Sequence, residues 1–431
     1  MRQQRPGARL VKGIWALLAA LALSGFGSSG RAQPADTPEE LNPADDWPAL
    51  QELMSLPPWM QLQLSVTAEP LFNPLGGERS TANWIQQGTL SLELSPGLAK
   101  PNTSWREFDH WQLNVMVNHD AGDADYNSAI GALFPLQQVA FPAGFYLTEV
   151  SVERQRGAGW LTVKAGILPI NPDFVEVAAL DNYVHSAFNN TLNISVADLP
   201  INPYAALGAV VTAHASPELS LRYGLFDLSS SAPLSRWLGL NAGSLGANTG
   251  TAQFLQLDLA PSALRAKPLK TRSAQLSAPL SAPLSVRNQL PDGLLSLGGF
   301  VTSNNGNGVY GSLTLPSGLA LGLDDRLWIG GSYSPDSRMD IAPSFVGGGL
   351  LIQGALPSRP LDLVVLAIGR SGLSSDLSRS SYESMVELGY RIQINESLNL
   401  QPTLQWILNP SGAETPVADI LAAGVQLQLN F

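Results

Sequence analysis

Two glutamates four residues apart, Glu383 and Glu387 in YESMVELGYR, are the first pair in this sequence that could do chemistry. A carboxylic acid beside a carboxylate is the apparatus of glycosidic-bond cleavage, which needs the two groups about 5 to 9.5 Å apart. On a β-strand a spacing of four places them on one face but about 13 Å apart, too far for that reaction. DAGDADYN, from Asp120 to Asn127, gathers three aspartates whose oxygens suit Ca2+, yet it lacks the spacing and the closing glutamate of an EF-hand loop. The histidines, His110, His119, His185 and His214, stand beside no nucleophile motif such as G-x-S-x-G. The expectation is no catalytic residue, no enzyme activity, no metal and no cofactor. The charged residues read instead as groups on a wall.

The elements that would position them are strands. After Pro58 no stretch is long and apolar enough for a membrane helix, while segments of polar and apolar residues taking turns recur to the end of the chain. In YESMVELGYRIQI the residues Tyr382, Ser384, Val386, Leu388, Tyr390, Ile392 and Ile394 face one way, and Glu383, Met385, Glu387, Gly389, Arg391 and Gln393 the other. LNLQPTLQWIL, HWQLNVMVN and WMQLQLSVTA divide in the same manner. Sixteen such segments are expected, near 59–68, 84–94, 111–119, 146–154, 159–167, 206–214, 219–227, 252–260, 294–302, 308–315, 326–334, 345–355, 362–369, 382–394, 398–408 and 421–431. Short joins such as ASPE and NESL mostly alternate with long ones at 120–145, 168–205, 228–251, 370–381 and 409–420. Short turns at one rim and long loops at the other are the plan of an outer-membrane barrel. The predicted fold is all-β, a transmembrane antiparallel barrel of about sixteen strands over residues 59–431. Trp59, Trp84, Trp111, Tyr146, Trp160, Tyr223, Tyr310, Trp328, Tyr333, Tyr382 and Trp406 fall mostly near strand ends, where interfacial aromatic girdles belong.

If the apolar set meets lipid, alternation turns Glu93, Glu149, Glu153, Lys164, Arg222, Asp258, Glu383, Glu387 and Arg391 to the inside as pore-lining candidates. Six carboxylates against three cations predict a weak cation preference.

The ends of the chain bear on location. Arg2, Arg5, Arg9 and Lys12 precede the apolar run IWALLAALAL, and Gly30-Arg31-Ala32 supplies small residues for cleavage, so residues 1–32 read as a secretory signal peptide. Its removal takes away five basic and no acidic groups and moves the formal charge from −11 to −16, which makes nucleic acid an improbable partner. The absence of cysteine excludes a disulfide framework and a lipid-modified cysteine. Residues 33–58, rich in proline and acid, form an exposed leader, and 260–292, with its AQLSAPLSAPLS repeat, a low-complexity insert on the short-turn side. The last strand, ending in Phe431, is expected to close the barrel against the first strand near Trp59, so that no edge is left in the bilayer.

KAGILPINPDF (164–174), PYAALGAVVTA (203–213), LRYGLFD (221–227), the stretch from Ser334 to Gly369 and that from Tyr382 to Pro410 together resemble the carbohydrate-selective porin family, OprB type. That resemblance implies a sixteen-stranded outer-membrane porin, a homotrimer, passing sugars and other small solutes passively, with long outer loops between Pro169 and Tyr204. A C-terminal phenylalanine resembles the signal read by the outer-membrane assembly machinery. The expected partners are small hydrophilic solutes (sugars, ions), membrane lipid and that machinery. A general ion and nutrient porin without sugar preference, and a structural or adhesive barrel, are the alternatives.

Overall fold

The computed structural model of the protein describes residues 50–95, 109–156, 160–188, 191–192, 199–230, 250–264, 290–303, 306–319, 323–335 and 340–431. The signal segment, most of the 33–58 leader and the central part of the 260–292 insert lie outside the described residues. The chain enters through a single helical turn, α1 (Leu50–Leu53), and then runs as sixteen strands: β1 (Met60–Leu75), β2 (Ala82–Leu94), β3 (Asp109–Gly122), β4 (Gly144–Arg156), β5 (Leu161–Leu168), β6 (Ala206–Ser216), β7 (Leu219–Asp227), β8 (Thr251–Leu259), β9 (Leu294–Thr302), β10 (Asn307–Leu315), β11 (Asp324–Tyr333), β12 (Ser344–Gln353), β13 (Leu363–Gly372), β14 (Tyr382–Gln393), β15 (Leu398–Leu408) and β16 (Ile420–Asn430). A second short helix, α2 (Tyr126–Ile130), lies between β3 and β4.

Each strand pairs antiparallel with its sequence neighbours, and β1 pairs with β16, so the sheet is a closed barrel. Closure leaves the sheet without an open edge, which a bilayer demands. The seam runs from Ser65 opposite Asn430 to Leu75 opposite Leu421. Its last residues exchange two bonds, the Phe431 N–H donating to the Leu64 carbonyl at 2.9 Å and Leu64 N–H to the Phe431 carbonyl at 3.2 Å. Phe431 thus meets Leu64 and not the neighbourhood of Trp59. The reason is that β1 is longer than its periodic segment: it continues through Pro70 and Pro74 to Leu75, beyond the expected end at 68. On the outside of this seam Leu50 of α1 is buried with Leu64, beside Leu62, Val66, Leu90 and Phe431.

Alternation sorts the two faces. In β8, Gln253, Leu255, Leu257 and Leu259 are exposed outside, whereas Ala252, Phe254, Gln256 and Asp258 are buried inside. In β15, Asn399, Gln401, Thr403 and Gln405 are buried against exposed Leu404 and Trp406. The girdle expectation needs correction at three residues. Trp59, Trp84, Trp111, Trp160, Tyr223, Tyr333 and Trp406 are exposed, but Tyr146, Tyr310 and Trp328 turn inward and are buried.

These inward rings belong to an apolar core inside the barrel. Phe226, Phe254, Phe300, Trp328 and Phe345 come from the wall, and Ile170, Phe174, Leu180, Tyr183 and Phe188 from the stretch 169–188, which folds into the lumen. Phe174 packs on Phe226 and Phe254 with ring centroids 6.2 and 5.1 Å away. The indole N–H of Trp328 donates to the Tyr183 hydroxyl at 2.8 Å. Room for these rings comes from glycine opposite them: Gly349 faces Trp328 across the ladder, and a Cβ there would lie 2.5 Å from both Trp328 Nε1 and the Tyr183 hydroxyl. Residues 123–143 fold in beside them, burying Ile130, Phe134 and Leu136. At the opposite rim, Gly293 N–H donates to the Leu264 carbonyl at 2.8 Å, so the two ends of the insert meet.

Candidate functional site

Strand pairing places five charged groups in a belt across β4, β5, β7, β8 and the incoming loop. Lys164 is cross-strand partner to Glu153, yet its ammonium reaches away from the turn rim to Glu149 Oε1 at 3.0 Å and to Asp173 Oδ2 of the loop at 3.3 Å. Gly166, the next inward residue on the same strand, leaves that path open. Arg222 carries the belt onward: one guanidinium nitrogen donates to the Asp173 carbonyl and Nη2 stands 3.5 Å from Asp258 Oδ2. Asp258 Oδ1 also accepts from Gln256 Nε2 at 2.9 Å and from Ser296 Oγ at 2.6 Å. Tyr310 donates to Gln256 Oε1 at 3.0 Å, and Ser151 to Glu149 at 2.5 Å. The charged side chains of this belt keep between 8% and 23% of their surface exposed. Two cations against three carboxylates, tied together by amides and hydroxyls, form a nearly compensated array rich in both donors and acceptors.

Two further candidates lie toward the turn rim. Glu93 accepts from Ser95 at 2.9 Å and Glu153 from Gln155 at 2.9 Å. Beside them the inward polar row of β3 continues as Gln112 to Asn114 at 2.7 Å and Asn114 to Ser151 at 3.2 Å.

The remaining three, Glu383, Glu387 and Arg391, sit on one face of β14, apart from the belt and beneath the incoming loops. Glu387 accepts the Val184 and His185 N–H groups, each at 2.8 Å, and the Thr403 hydroxyl at 3.3 Å. Glu383 accepts from Leu133 N–H at 2.9 Å, Phe134 N–H at 3.3 Å and Ser411 N–H at 2.7 Å. Arg391 donates to Gln401 at 2.9 Å and to the Asn182 side chain at 2.8 Å. His185 itself is fully buried, and burial pushes its imidazole down to about 3, so it is neutral. Its Nδ1 accepts the Ala187 N–H at 3.2 Å.

Sequence reasoning missed Asp173, Gln256, Asn182 and Glu69. Glu69 is the inward residue of β1 just before Pro70; alternation carried past 68 would have found it. It accepts from Gln426 at 2.6 Å and from Val139 N–H at 3.2 Å. Asp173 and Asn182 lie in loop sequence with no period to read. Among the described residues no group of three or more His, Cys, Asp or Glu is placed to hold a metal ion.

Comparison with known families and structures decides what this barrel is. The model of the family described as carbohydrate-selective porin, OprB, matches residues 104–431. The chain belongs to that family. The OprB structure of Pseudomonas putida determined at high pH is 17% identical, with a TM-score of 0.69 over 88% of this chain and 96% of that one. The low-pH structure of the same porin is 16% identical, with a TM-score of 0.52 over 88% of this chain and 95% of that one. At such identities the likeness is one of fold. Comparison with curated proteins gives no match in sequence. The OprB-family assignment and the closed sixteen-stranded sheet together make this an outer-membrane porin, a multi-strand barrel in the bacterial outer membrane.

Proposed function

We propose that the barrel is a passive channel for carbohydrates and other small hydrophilic solutes, which pass down their gradients through a water-filled lumen without turnover. The observation that carries this reading is the compensated belt. Glu149, Lys164, Asp173, Arg222 and Asp258 offer a solute paired donors and acceptors with little net field. A neutral polyol satisfies such an array, because each hydroxyl both donates and accepts. A lone ion finds only partly neutralised partners there. Glu93 and Glu153 extend the proposed path toward the turn rim. They also favour the second reading, an ion and nutrient porin with weak cation preference, since both carboxylates are held by neutral groups. Processing of residues 1–32, recognition of Phe431 by the assembly machinery and a homotrimeric state complete the proposal.

Reconstitution in planar bilayers tests it. Stable open conductance that falls as glucose or maltodextrins are added supports the sugar path. Conductance indifferent to sugar selects the ion and nutrient porin, and absence of conductance selects a structural or adhesive barrel.

A further inference from the structure

Three buried wall carboxylates share one kind of partner. Glu69 is 1% exposed and Glu383 and Glu387 are 0% exposed, so no solute touches them. None of the three forms a salt bridge among the described residues. What they meet is the main chain of segments that fold into the lumen. Glu387 takes two successive N–H groups, Val184 and His185, one on each oxygen. Glu383 takes Leu133 and Phe134 from one segment and Ser411 from another, joining two loops at a single carboxylate. Glu69 takes Val139, farther along the first of these.

From this geometry we infer that Glu69, Glu383 and Glu387 are positioning residues. They clasp residues 123–143 and 169–188 to the wall and thereby set the width of the opening that Lys164 and Arg222 border through Asp173. The inference rests on the porin reading, and it removes Glu383 and Glu387 from the solute path. Their oxygens are taken up by backbone donors in a water-poor site, where an unmade bond is expensive. Only a carboxylate fits the role at 387. An amide there turns its NH2 toward one of the two N–H groups, donor against donor.

The test uses the full chain. Glu387→Gln and Glu383→Gln are each compared with wild type as single channels in planar bilayers, together with Glu387→Asp, which keeps both acceptor oxygens. Loss of one charged acceptor raises the undocked fraction of the loop by on the order of tenfold. That rise is read as a second, larger conductance level with an unchanged reversal potential under a salt gradient. Glu387→Asp restores most of the single-level behaviour. Because the chain has no cysteine, Val184→Cys gives an independent readout. A water-soluble thiol reagent labels it slowly when Glu387 is present and at least several-fold faster beside Glu387→Gln. Conductance levels and labelling rates identical to wild type overturn the inference. So does lowered cation selectivity at an unchanged single level, which returns the two glutamates to the solute path. If wild type passes no current, the porin reading fails while the labelling experiment still decides the clasp.

Discussion

His185, a fully buried imidazole in the docked loop, predicts a response of channel geometry to acidity. Its imidazole has an ordinary value of 6.5 and is pushed down to about 3 by burial, with no carboxylate partner at Nδ1, which accepts from a backbone N–H. A group lowered on docking binds its proton only after the loop has left the wall. Above pH 6.5 both states are neutral and acidity has no effect through this residue. As pH falls from 6.5 toward 3, protons favour the undocked loop by about tenfold per unit, and the docked form is lost in that window. The expected outcome is a larger conductance level that gains occupancy in acid and does so less in His185→Asn, which keeps an acceptor for the Ala187 N–H. Equal acid responses in the two proteins would assign the effect elsewhere. Glu383 shows the limit of reading such residues from sequence. Its inward direction follows from period 2, but its partners Leu133 and Phe134 are 250 and 249 positions away, and no pattern along the chain links them.

Strands were readable wherever apolar and polar residues took turns, as in β14 and β15, because a two-sided wall requires it. They were less readable where both faces are apolar. In β8 the pair Phe254 and Leu255 points to opposite sides, one into the lumenal core and the other outward. The apolar core inside the barrel also explains why Trp328 defeated the girdle expectation: its ring is a wall of the docking site for Tyr183, not an anchor in the interface. At this scale Gly349, opposite the Trp328 ring, is the sensitive position. Gly349→Ala puts a methyl 2.5 Å from both Trp328 Nε1 and the Tyr183 hydroxyl, and the rigid sheet on either side gives it little room. We expect a loss of about 1–3 kcal/mol, seen as a lower transition temperature of the folded band in unheated gel samples. Adding Tyr183→Phe, which removes one of the three atoms at 2.5 Å, the others being Trp328 Nε1 and the Leu366 carbonyl oxygen, should recover part of it. A Gly349→Ala barrel that melts with wild type would mean the wall yields more than the ladder suggests.

For the whole molecule the decisive join is the seam, since sixteen strands mean little until β1 meets β16. Deleting Phe431 removes two backbone bonds at the end of that seam and part of the apolar cover that Leu50 and Leu64 share. Two such bonds are worth about 1–3 kcal/mol, too little to unfold a closed barrel. The shortened chain is expected to refold in detergent micelles with slightly lower stability, yet to reach the outer membrane of cells poorly, as quantified by folded-band intensity in membrane fractions. Failure in micelles as well would make the defect one of closure, and normal levels in cells would remove Phe431 from recognition. The clasps have one more consequence. Glu69, Glu383 and Glu387 grip main-chain N–H groups, which every residue except proline offers, so these bonds ask of residues 133, 134, 139, 184, 185 and 411 only a backbone donor. The hydrogen bonds that hold the loops are thus written into the wall strands, and the loop sequence contributes to them only its backbone.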